Sequence, residues 1–246
     1  MRIKWEGEPG LDAGGLSKDW YCALARKITD GTAGLLQPGD TGTSIDLRAD
    51  AIHGFEARWL FRIIGCFFAK ALVDEQPLGV QFNRILLAHF LGRSPGLDDV
   101  AHADPPMHRG LAWVQENDVT DADLTFSASY DLFGEAKEVR LTAAGPTEVI
   151  TSRTAAATSS DSTASAGGGG DVDAVTEGNK DVYVERMVSW LVLHRFEPSL
   201  SYMLEGFHSI VPAVHLQHFK AEELQTLLGG QPSIELADVQ VTNGCI

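Results

Sequence analysis

The chain has 246 residues, of which 44% are hydrophobic and 22% are charged. This composition excludes a wholly disordered chain and is sufficient for one large domain or two small ones. The 34 acidic and 19 basic side chains give a formal net charge of −15 at pH 7. Because such a charge repels nucleic-acid phosphates and anionic lipids, nucleic acid is excluded as an expected partner and a partner with a basic surface is favoured.

The cysteine content indicates a reducing compartment, and the hydropathy of the chain indicates no membrane span. Cys22, Cys66 and Cys245 are odd in number and widely spaced, which argues against a disulfide framework and against a zinc site. The most apolar run, residues 59–72, is interrupted by two charged residues, whereas a membrane span needs about 20 largely apolar residues. Residues 1–11 lack the apolar core of a signal peptide. We therefore predict no membrane span and a cytoplasmic or nuclear location.

The elements predicted for the first half of the chain are helices. Apolar residues recur at the 3.6-residue period over residues 55–72, which predicts a core helix. Ser17 follows two glycines and precedes an acidic residue, so it suits the N-cap of an earlier helix. Further helical patterns cover 81–90 and 107–116, with a short acidic turn at 97–100 between them.

The second half combines strands with helices. Apolar and polar residues alternate over 124–130 and again over 139–141, which predicts a hairpin with its turn at Phe133-Gly134. Residues 152–170 are almost entirely Thr, Ala, Ser and Gly, too poor in apolar groups to offset the entropy of ordering, so we predict a flexible insert. Helices are predicted at 180–194, 199–209 and 221–228, and a last strand at 234–241. The predicted fold class is α+β, mainly α.

Residues 92–96 match the G-x-S-x-G form of a hydrolase nucleophile elbow. That elbow needs a strand before the serine and a helix after it, and it uses the N–H of the following residue in the oxyanion hole. The residue after Ser94 is Pro95, which has no N–H. A serine hydrolase is therefore disfavoured.

Histidines and carboxylates could be proposed as metal ligands in two groups, but their spacings match none of the usual zinc patterns. Surface or capping histidines are the preferred interpretation, and we expect no metal and no cofactor. The three cysteines lack the neighbours that would activate a thiol, so no catalytic residue is assigned. The groups are His208, His215 and His218, and His102 and His108 with Asp98, Asp99 and Asp104.

Blocks of sequence spread over the chain carry a further signal. Residues 5–20, WEGEPGLDAGGLSKDW, are close to the signature F-x-G-E-x-G-x-D-A-G-G-L-x-x-E-W. That signature opens the N-terminal lobe of the HECT family of ubiquitin ligases, and this chain resembles it in further blocks that follow in the family's order. These blocks are 61–65 with 69–72, 111–118, 123–127, 179–184, 204–207 with 210–212, and 219 with 222–224.

The resemblance implies a HECT N-lobe with a large helical subdomain and a small α/β subdomain. By position, 1–117 would form the large part, 118–210 the small part with an insert at about 152–174, and 211–246 a return to the large part. The family's small subdomain binds the ubiquitin-conjugating enzyme in an apolar groove. Carried over by position, the groove residues are Met107, Leu111, Val114, Asn117, Ala122, Leu124 and Tyr183.

The residues themselves leave some of these assignments open. Core packing explains Val114 and Leu124 equally well, because apolar periodicity is mostly core. Tyr183 offers an apolar ring with a polar tip, which suits an interface. The family's short strand before the Asn-Lys helix start has two candidates here, residues 145–151 and 175–176.

The resemblance also implies an activity. In the family a separate C-lobe carries a cysteine that accepts ubiquitin as a thioester and passes it to a substrate lysine. None of the three cysteines occupies that position, and we expect both the catalytic cysteine and the family's leading helix to lie outside this chain. The expected partners are a ubiquitin-conjugating enzyme and ubiquitin, while the substrate protein is not indicated. The alternative function is a non-catalytic module that binds conjugating enzymes, or a degenerate, truncated ligase fragment.

Overall fold

The structure of the chain is a computed structural model in which helices dominate and the strands of the described residues form two small antiparallel sheets. The predicted α+β, mainly α fold class is therefore confirmed. The structure describes residues 15–31, 34–38, 44–48, 55–132, 135–143, 145–151 and 174–230. Its contacts divide the chain into unit 1, which is Met1–Asp104 with Phe196–Ile246, and unit 2, which is Pro105–Arg195.

The helices and strands are numbered here in chain order. The helices are α1 Gly15–Thr29, α2 Phe55–Val73, α3 Arg84–Phe90, α4 Leu97–Ala103, α5 Pro105–Glu116, α6 Lys180–Val192, α7 Ser199–Ile210 and α8 Ala221–Gly229. The strands are β1 Leu36–Pro38, β2 Ile45–Leu47, β3 Ser127–Leu132, β4 Glu135–Thr142 and β5 Gly145–Thr151. Short 3₁₀ turns occupy His194–Phe196 and Ala213–His215.

Unit 1 is built around a close crossing of α2 and α7. A Cβ atom added at Gly65 would overlap the Met203 carbonyl oxygen and lie 2.8 Å from the Phe207 nitrogen. A Cβ atom added at Gly206 would overlap the Arg62 carbonyl oxygen. The two backbones therefore approach to a distance that only glycine permits. Beside the crossing, the rings of Phe90 and Phe207 stack with centroids 4.2 Å apart.

Residues 81–83, directly before α3, contact the small sheet of unit 1. Strands β1 and β2 pair antiparallel, and Ile45 of β2 forms a parallel bridge with Phe82. Asn83 then caps α3, because its side chain accepts a hydrogen bond from the Ile85 N–H at 2.9 Å and donates one to Asp46 Oδ2 at 3.0 Å. The helix predicted over 81–90 is thus wrong in its first three residues. Phe82 pairs with β2, and Asn83 is the N-cap of α3.

Other predicted helices hold with shifted ends. The core helix predicted over 55–72 is confirmed as α2. The first helix begins at Gly15, so Ser17 lies buried inside α1 and is not its N-cap. The acidic turn predicted at 97–100 is the start of α4, where the Asp99 carboxylate accepts the Gly96 N–H at 3.0 Å. Helix α6 ends at Val192, before the predicted end at His194.

Asp74 links α1 to the end of α2. It accepts a hydrogen bond from the Tyr21 hydroxyl at 2.7 Å and forms an ion pair with Lys70 one turn earlier. Hydrogen bonds from Lys70 and then from Tyr21 lower the pKa of the Asp74 carboxyl below its ordinary value. Burial, followed by the hydrogen bond to Asp74, raises the pKa of the Tyr21 phenol.

We expect Asp74 to make part of the stability of unit 1 depend on acidity. The unfolded chain binds a proton near the ordinary aspartate pKa of about 3.9, whereas the folded chain does so only at lower pH. The stabilisation is therefore complete above that ordinary pKa and is lost as pH falls through the lower, folded pKa. Urea unfolding of wild type and Asp74→Asn between about pH 6 and pH 3 should show a stability difference that shrinks toward acid. A difference independent of pH would contradict this assignment.

Unit 2 combines a three-stranded sheet with two helices. The sheet has the order β3-β4-β5 with both pairs antiparallel, and Ala128 pairs with Val139 in the middle of β3 and β4. Helix α6 contacts β4 and β5, and α5 packs on α6. The predicted hairpin is confirmed as β3 and β4. Of the two candidates for the family's short strand, residues 145–151 form β5, whereas the Val175 N–H donates to the Leu124 carbonyl oxygen at 2.8 Å.

The contacts divide the chain at other points than those predicted. The prediction assigned α5 to the large part and α7 to the small part. In the structure α5 packs on α6 within unit 2, and α7 packs along α2 within unit 1. No helix among the described residues has the length and hydropathy required to cross a membrane. The turn at Phe133-Gly134, residues 152–173 of the insert, the strand at 234–241 and Cys245 lie outside the described residues.

Candidate functional site

The seven predicted groove residues all lie in unit 2, and three of them are on α5. Met107, Leu111 and Val114 follow one another at the spacing of a single helix face. Leu111 and Val114 are buried, and Met107 is half-buried. Since buried side chains of α5 lie toward the interior, Leu111 and Val114 would support a binding surface from beneath, while Met107 is partly accessible.

Asn117, Ala122 and Leu124 lie on the segment between α5 and β3, residues 117–126, which we call the α5–β3 loop. Asn117 is exposed, and Ala122 and Leu124 are half-buried. The loop contains a turn in which the Ala122 N–H donates to the Val119 carbonyl oxygen at 3.1 Å. Its end is fixed by an antiparallel bridge between Thr125 and Ala174. The loop therefore presents Asn117, Ala122 and Leu124 from an ordered backbone.

The start of α6 contacts the beginning of the α5–β3 loop. Lys180 Nζ donates to the Asn117 carbonyl oxygen at 2.7 Å and forms an ion pair with Glu177 Oε2 at 2.9 Å. Glu177 Oε1 accepts the Val119 N–H at 2.7 Å. These bonds bring Asn117, at the end of α5, close to the first turn of α6.

Tyr183 lies in that first part of α6 and is 7% exposed. Its ring meets the ring of Phe126 edge to face, with centroids 5.6 Å apart and planes at 90°. The Arg186 guanidinium lies over the Phe126 ring, 5.1 Å from its centroid. Burial raises the pKa of the Tyr183 phenol, so the hydroxyl stays protonated at neutral pH. Tyr183 therefore joins α6 to the end of the α5–β3 loop through its ring.

Acidic side chains are frequent around these residues. Hydrogen bonds from the Thr120 hydroxyl, at 2.6 Å, and from its N–H, at 2.9 Å, lower the pKa of the Asp118 carboxyl. That carboxylate is therefore ionised at neutral pH. An acidic surface favours association with a basic partner. The exposed acids on α5, the loop and the start of α6 are Glu116, Asp118, Asp121, Asp123, Glu177 and Asp181.

Two exposed apolar residues of α5 and α6 were not predicted as site residues from the sequence. Trp113 of α5 is 49% exposed, and Val182 of α6 is 41% exposed. The Trp113 carbonyl oxygen accepts both the N–H and the side-chain amide of Asn117, one turn later, at 3.0 Å each. Trp113 lies off the helix face that Leu111 and Val114 form. This position in the helical pattern is the sequence signal that could have indicated its exposure. Exposed tryptophan is common at the centre of protein interfaces.

The alternative chemistries find no support in the described residues. Ser94 lies in the connection between helices α3 and α4, where a nucleophile elbow requires a strand before the serine. In the described ranges, no three His, Cys, Asp or Glu side chains come together as a metal site would need. Cys22 and Cys66 are half-buried, with Cys66 Sγ 3.4 Å from the Gly206 carbonyl oxygen.

Comparison with protein families decides the classification. The family model described as HECT-domain (ubiquitin-transferase) matches residues 23–243, which is almost the entire chain. The chain belongs to the HECT family. The resemblance inferred from the sequence blocks is thereby confirmed, and the mainly helical architecture with a small sheet-containing unit agrees with a HECT N-lobe.

Relatives of this HECT chain are ubiquitin ligases. It is 32% identical over 241 residues to E3 ubiquitin-protein ligase UPL1 of Arabidopsis thaliana, with 98% of the chain covered. It is 30% identical to E3 ubiquitin-protein ligase TOM1 of Saccharomyces cerevisiae, with 97% covered, and 28% identical to human E3 ubiquitin-protein ligase HACE1, also with 97% covered. The chain spans 6%, 7% and 24% of the lengths of these three relatives.

Proposed function

We propose that this chain binds a ubiquitin-conjugating enzyme through unit 2, as the N-lobe of a HECT ubiquitin ligase. The observation that carries the proposal is the contact between two separate stretches of sequence, the α5–β3 loop and residues 175–183. Asn117 is bonded to Lys180, Leu124 is bonded to Val175, and Tyr183 packs on Phe126 at the end of the same loop. Three residues that the family resemblance selects for the groove, Asn117, Leu124 and Tyr183, therefore lie on segments that contact each other.

The accessible part of this surface has the composition of a protein interface. Trp113, one helical turn before Asn117, and the half-buried Leu124 supply apolar area, and Asn117 supplies an exposed amide. Buried cores with apolar and aromatic anchors and a polar rim are typical of specific complexes. The surrounding carboxylates favour a conjugating enzyme that presents a basic face.

Within this proposal the chain supplies recruitment, and the ubiquitin acceptor is a cysteine of another part of the full-length protein. Thioester exchange needs a thiolate that can reach the thioester carbonyl carbon and displace the thiol of the conjugating enzyme. Cys22 and Cys66 lie within α1 and α2, and both are half-buried. We therefore do not assign either cysteine as the acceptor. Separately, the cysteine usage of the sequence leads us to propose a cytoplasmic or nuclear site of action.

Leu124→Ala tests the surface. We expect it to weaken the affinity for a ubiquitin-conjugating enzyme by about tenfold, because it truncates a half-buried apolar side chain of the proposed interface. Calorimetric titration of the 246-residue chain with a panel of purified conjugating enzymes gives the affinity. The matched control is Leu227→Ala on α8 of unit 1, where the leucine is also partly exposed.

The outcomes separate the interpretations. The proposal predicts a normal affinity for Leu227→Ala beside a reduced affinity for Leu124→Ala. Failure of the wild-type chain to bind any conjugating enzyme of the panel would refute it. Binding by a full-length protein that forms no ubiquitin thioester in non-reducing electrophoresis would favour the alternative, a non-catalytic binding module.

A further inference from the structure

We propose that Lys180 and Glu177 are positioning residues that hold the α5–β3 loop in its binding geometry. The inference rests on the proposed function, because it concerns how the same surface is organised. Neither residue belongs to the predicted groove. Their role follows from the backbone groups that they bind, which belong to the beginning of the α5–β3 loop.

The two side chains form a clamp on the loop backbone. Lys180 Nζ binds the Asn117 carbonyl oxygen at 2.7 Å, and Glu177 Oε1 binds the Val119 N–H at 2.7 Å. The remaining Glu177 oxygen joins the two halves through its 2.9 Å ion pair with Lys180. An acceptor and a donor only two residues apart on the loop are thus held by one connected pair of charges, which fixes the loop in position and in orientation.

The place that Lys180 occupies suits a cation. Asn117 directly follows the last residue of α5, and the last carbonyl groups of a helix have no partner within the helix. A lysine ammonium can satisfy such a carbonyl and also interacts favourably with the negative end of the helix dipole. The Lys180 side chain is only 15% exposed, so its long stem is held by its surroundings.

The segment that carries the clamp is itself ordered. The Asn179 side chain accepts the Thr176 N–H at 2.7 Å and donates to the Ala174 carbonyl oxygen at 3.0 Å. The Val175 N–H binds the far end of the loop at Leu124. Because residues 174–180 grip both ends of the loop, the residues between them are presented at a fixed distance from Tyr183, one turn further along α6.

The clamp can be removed without opening the interior of unit 2. Val119 is buried at 1% exposure, and it anchors the loop by packing even when its N–H bond is lost. We therefore expect loss of the clamp to loosen the loop locally. Preorganisation of a binding loop contributes to affinity because the ordering entropy is then not lost on association.

Lys180→Met keeps the aliphatic stem and removes the ammonium, and Glu177→Gln removes the charge with little change in shape. The probe is the conjugating enzyme that wild type binds most tightly in a panel. We expect both variants to bind it about tenfold more weakly, and Lys180→Arg to recover to within about threefold of wild type. The matched control is Lys70→Met in unit 1, which removes another lysine from an ion pair and should bind normally.

Hydrogen exchange supplies the readout that distinguishes positioning from general damage. In both clamp variants the Val119 amide should exchange at least about tenfold faster, while amides in the middle of α6, such as that of Met187, keep wild-type protection. Wild-type affinity in both variants, or equal loss of protection throughout unit 2, would overturn the clamp and leave the proposed function standing. If wild type binds no conjugating enzyme, the proposed function and the clamp's role in it both fail.

Discussion

Replacing Gly206 with alanine should lower the stability of unit 1 by about 3 kcal/mol or more, which is a large fraction of the stability of an ordinary domain. The new methyl group would overlap the Arg62 carbonyl oxygen and lie 2.8 Å from the Arg62 carbonyl carbon. Backbone atoms cannot rotate away as a side chain can. Helices α2 and α7 must therefore move apart at their crossing.

Hydrogen-exchange mass spectrometry measures this loss of stability separately for the helices of unit 1 and unit 2. Peptides from α2 and α7 should lose protection in Gly206→Ala, and peptides from α5 and α6 serve as an internal reference. Gly110→Ala is the control, because Gly110 lies in α5 with open space around it. That substitution should stabilise α5 by about 0.5–1 kcal/mol, since alanine has the higher helix propensity. Wild-type protection of α2 in Gly206→Ala would show that the two backbones are further apart.

Tyr183→Ala should reduce both stability and binding. Removing a buried aromatic ring that packs edge to face on Phe126 is expected to cost about 3 kcal/mol of the stability of unit 2. We also expect the affinity for the conjugating enzyme to fall by more than about 1 kcal/mol, because the ring packs on Phe126 at the end of the loop that carries Leu124. Thermal unfolding gives the first quantity, and titration well below the unfolding temperature gives the second.

Tyr183→Phe separates the ring from its hydroxyl. The ring packing remains, so stability should stay within about 1 kcal/mol of wild type. An affinity close to wild type would assign the effect of Tyr183→Ala to the ring, whereas a loss as large as that of Tyr183→Ala would place the hydroxyl in direct contact with the partner. Wild-type affinity in Tyr183→Ala would remove Tyr183 from the site.

Much of the fold could be predicted because it follows from periodicity. The apolar period of residues 55–72 predicts α2 to within one residue, and the alternation around Ala128 and Val139 predicts the β3–β4 hairpin. Elements whose ends depend on caps were less predictable. Phe82 continues the helical apolar spacing of residues 85–90, yet Asn83 caps the helix and Phe82 bridges to Ile45. Such pairings depend on distant segments that no local pattern reveals.

The candidate site was predictable only as a set of family positions. The helical period leaves open whether the face of Leu111 and Val114 is core or groove, and the structure shows that both side chains are buried. The clamp was invisible for a different reason. Lys180 binds the backbone carbonyl of Asn117, 63 residues away, and every residue type has such a carbonyl. No side-chain motif can therefore signal this contact.

The crossing of α2 and α7 has a consequence for how the chain is made. Unit 1 is discontinuous, and all of unit 2 lies between Asp104 and Phe196. On the ribosome, unit 2 emerges before α7 does, so it can begin to fold as a contiguous segment. Until then α2 lacks α7, the helix that crosses it at Gly65. Nascent chains at this stage are expected to need a chaperone, and long-range closure of α2 on α7 should limit the folding rate.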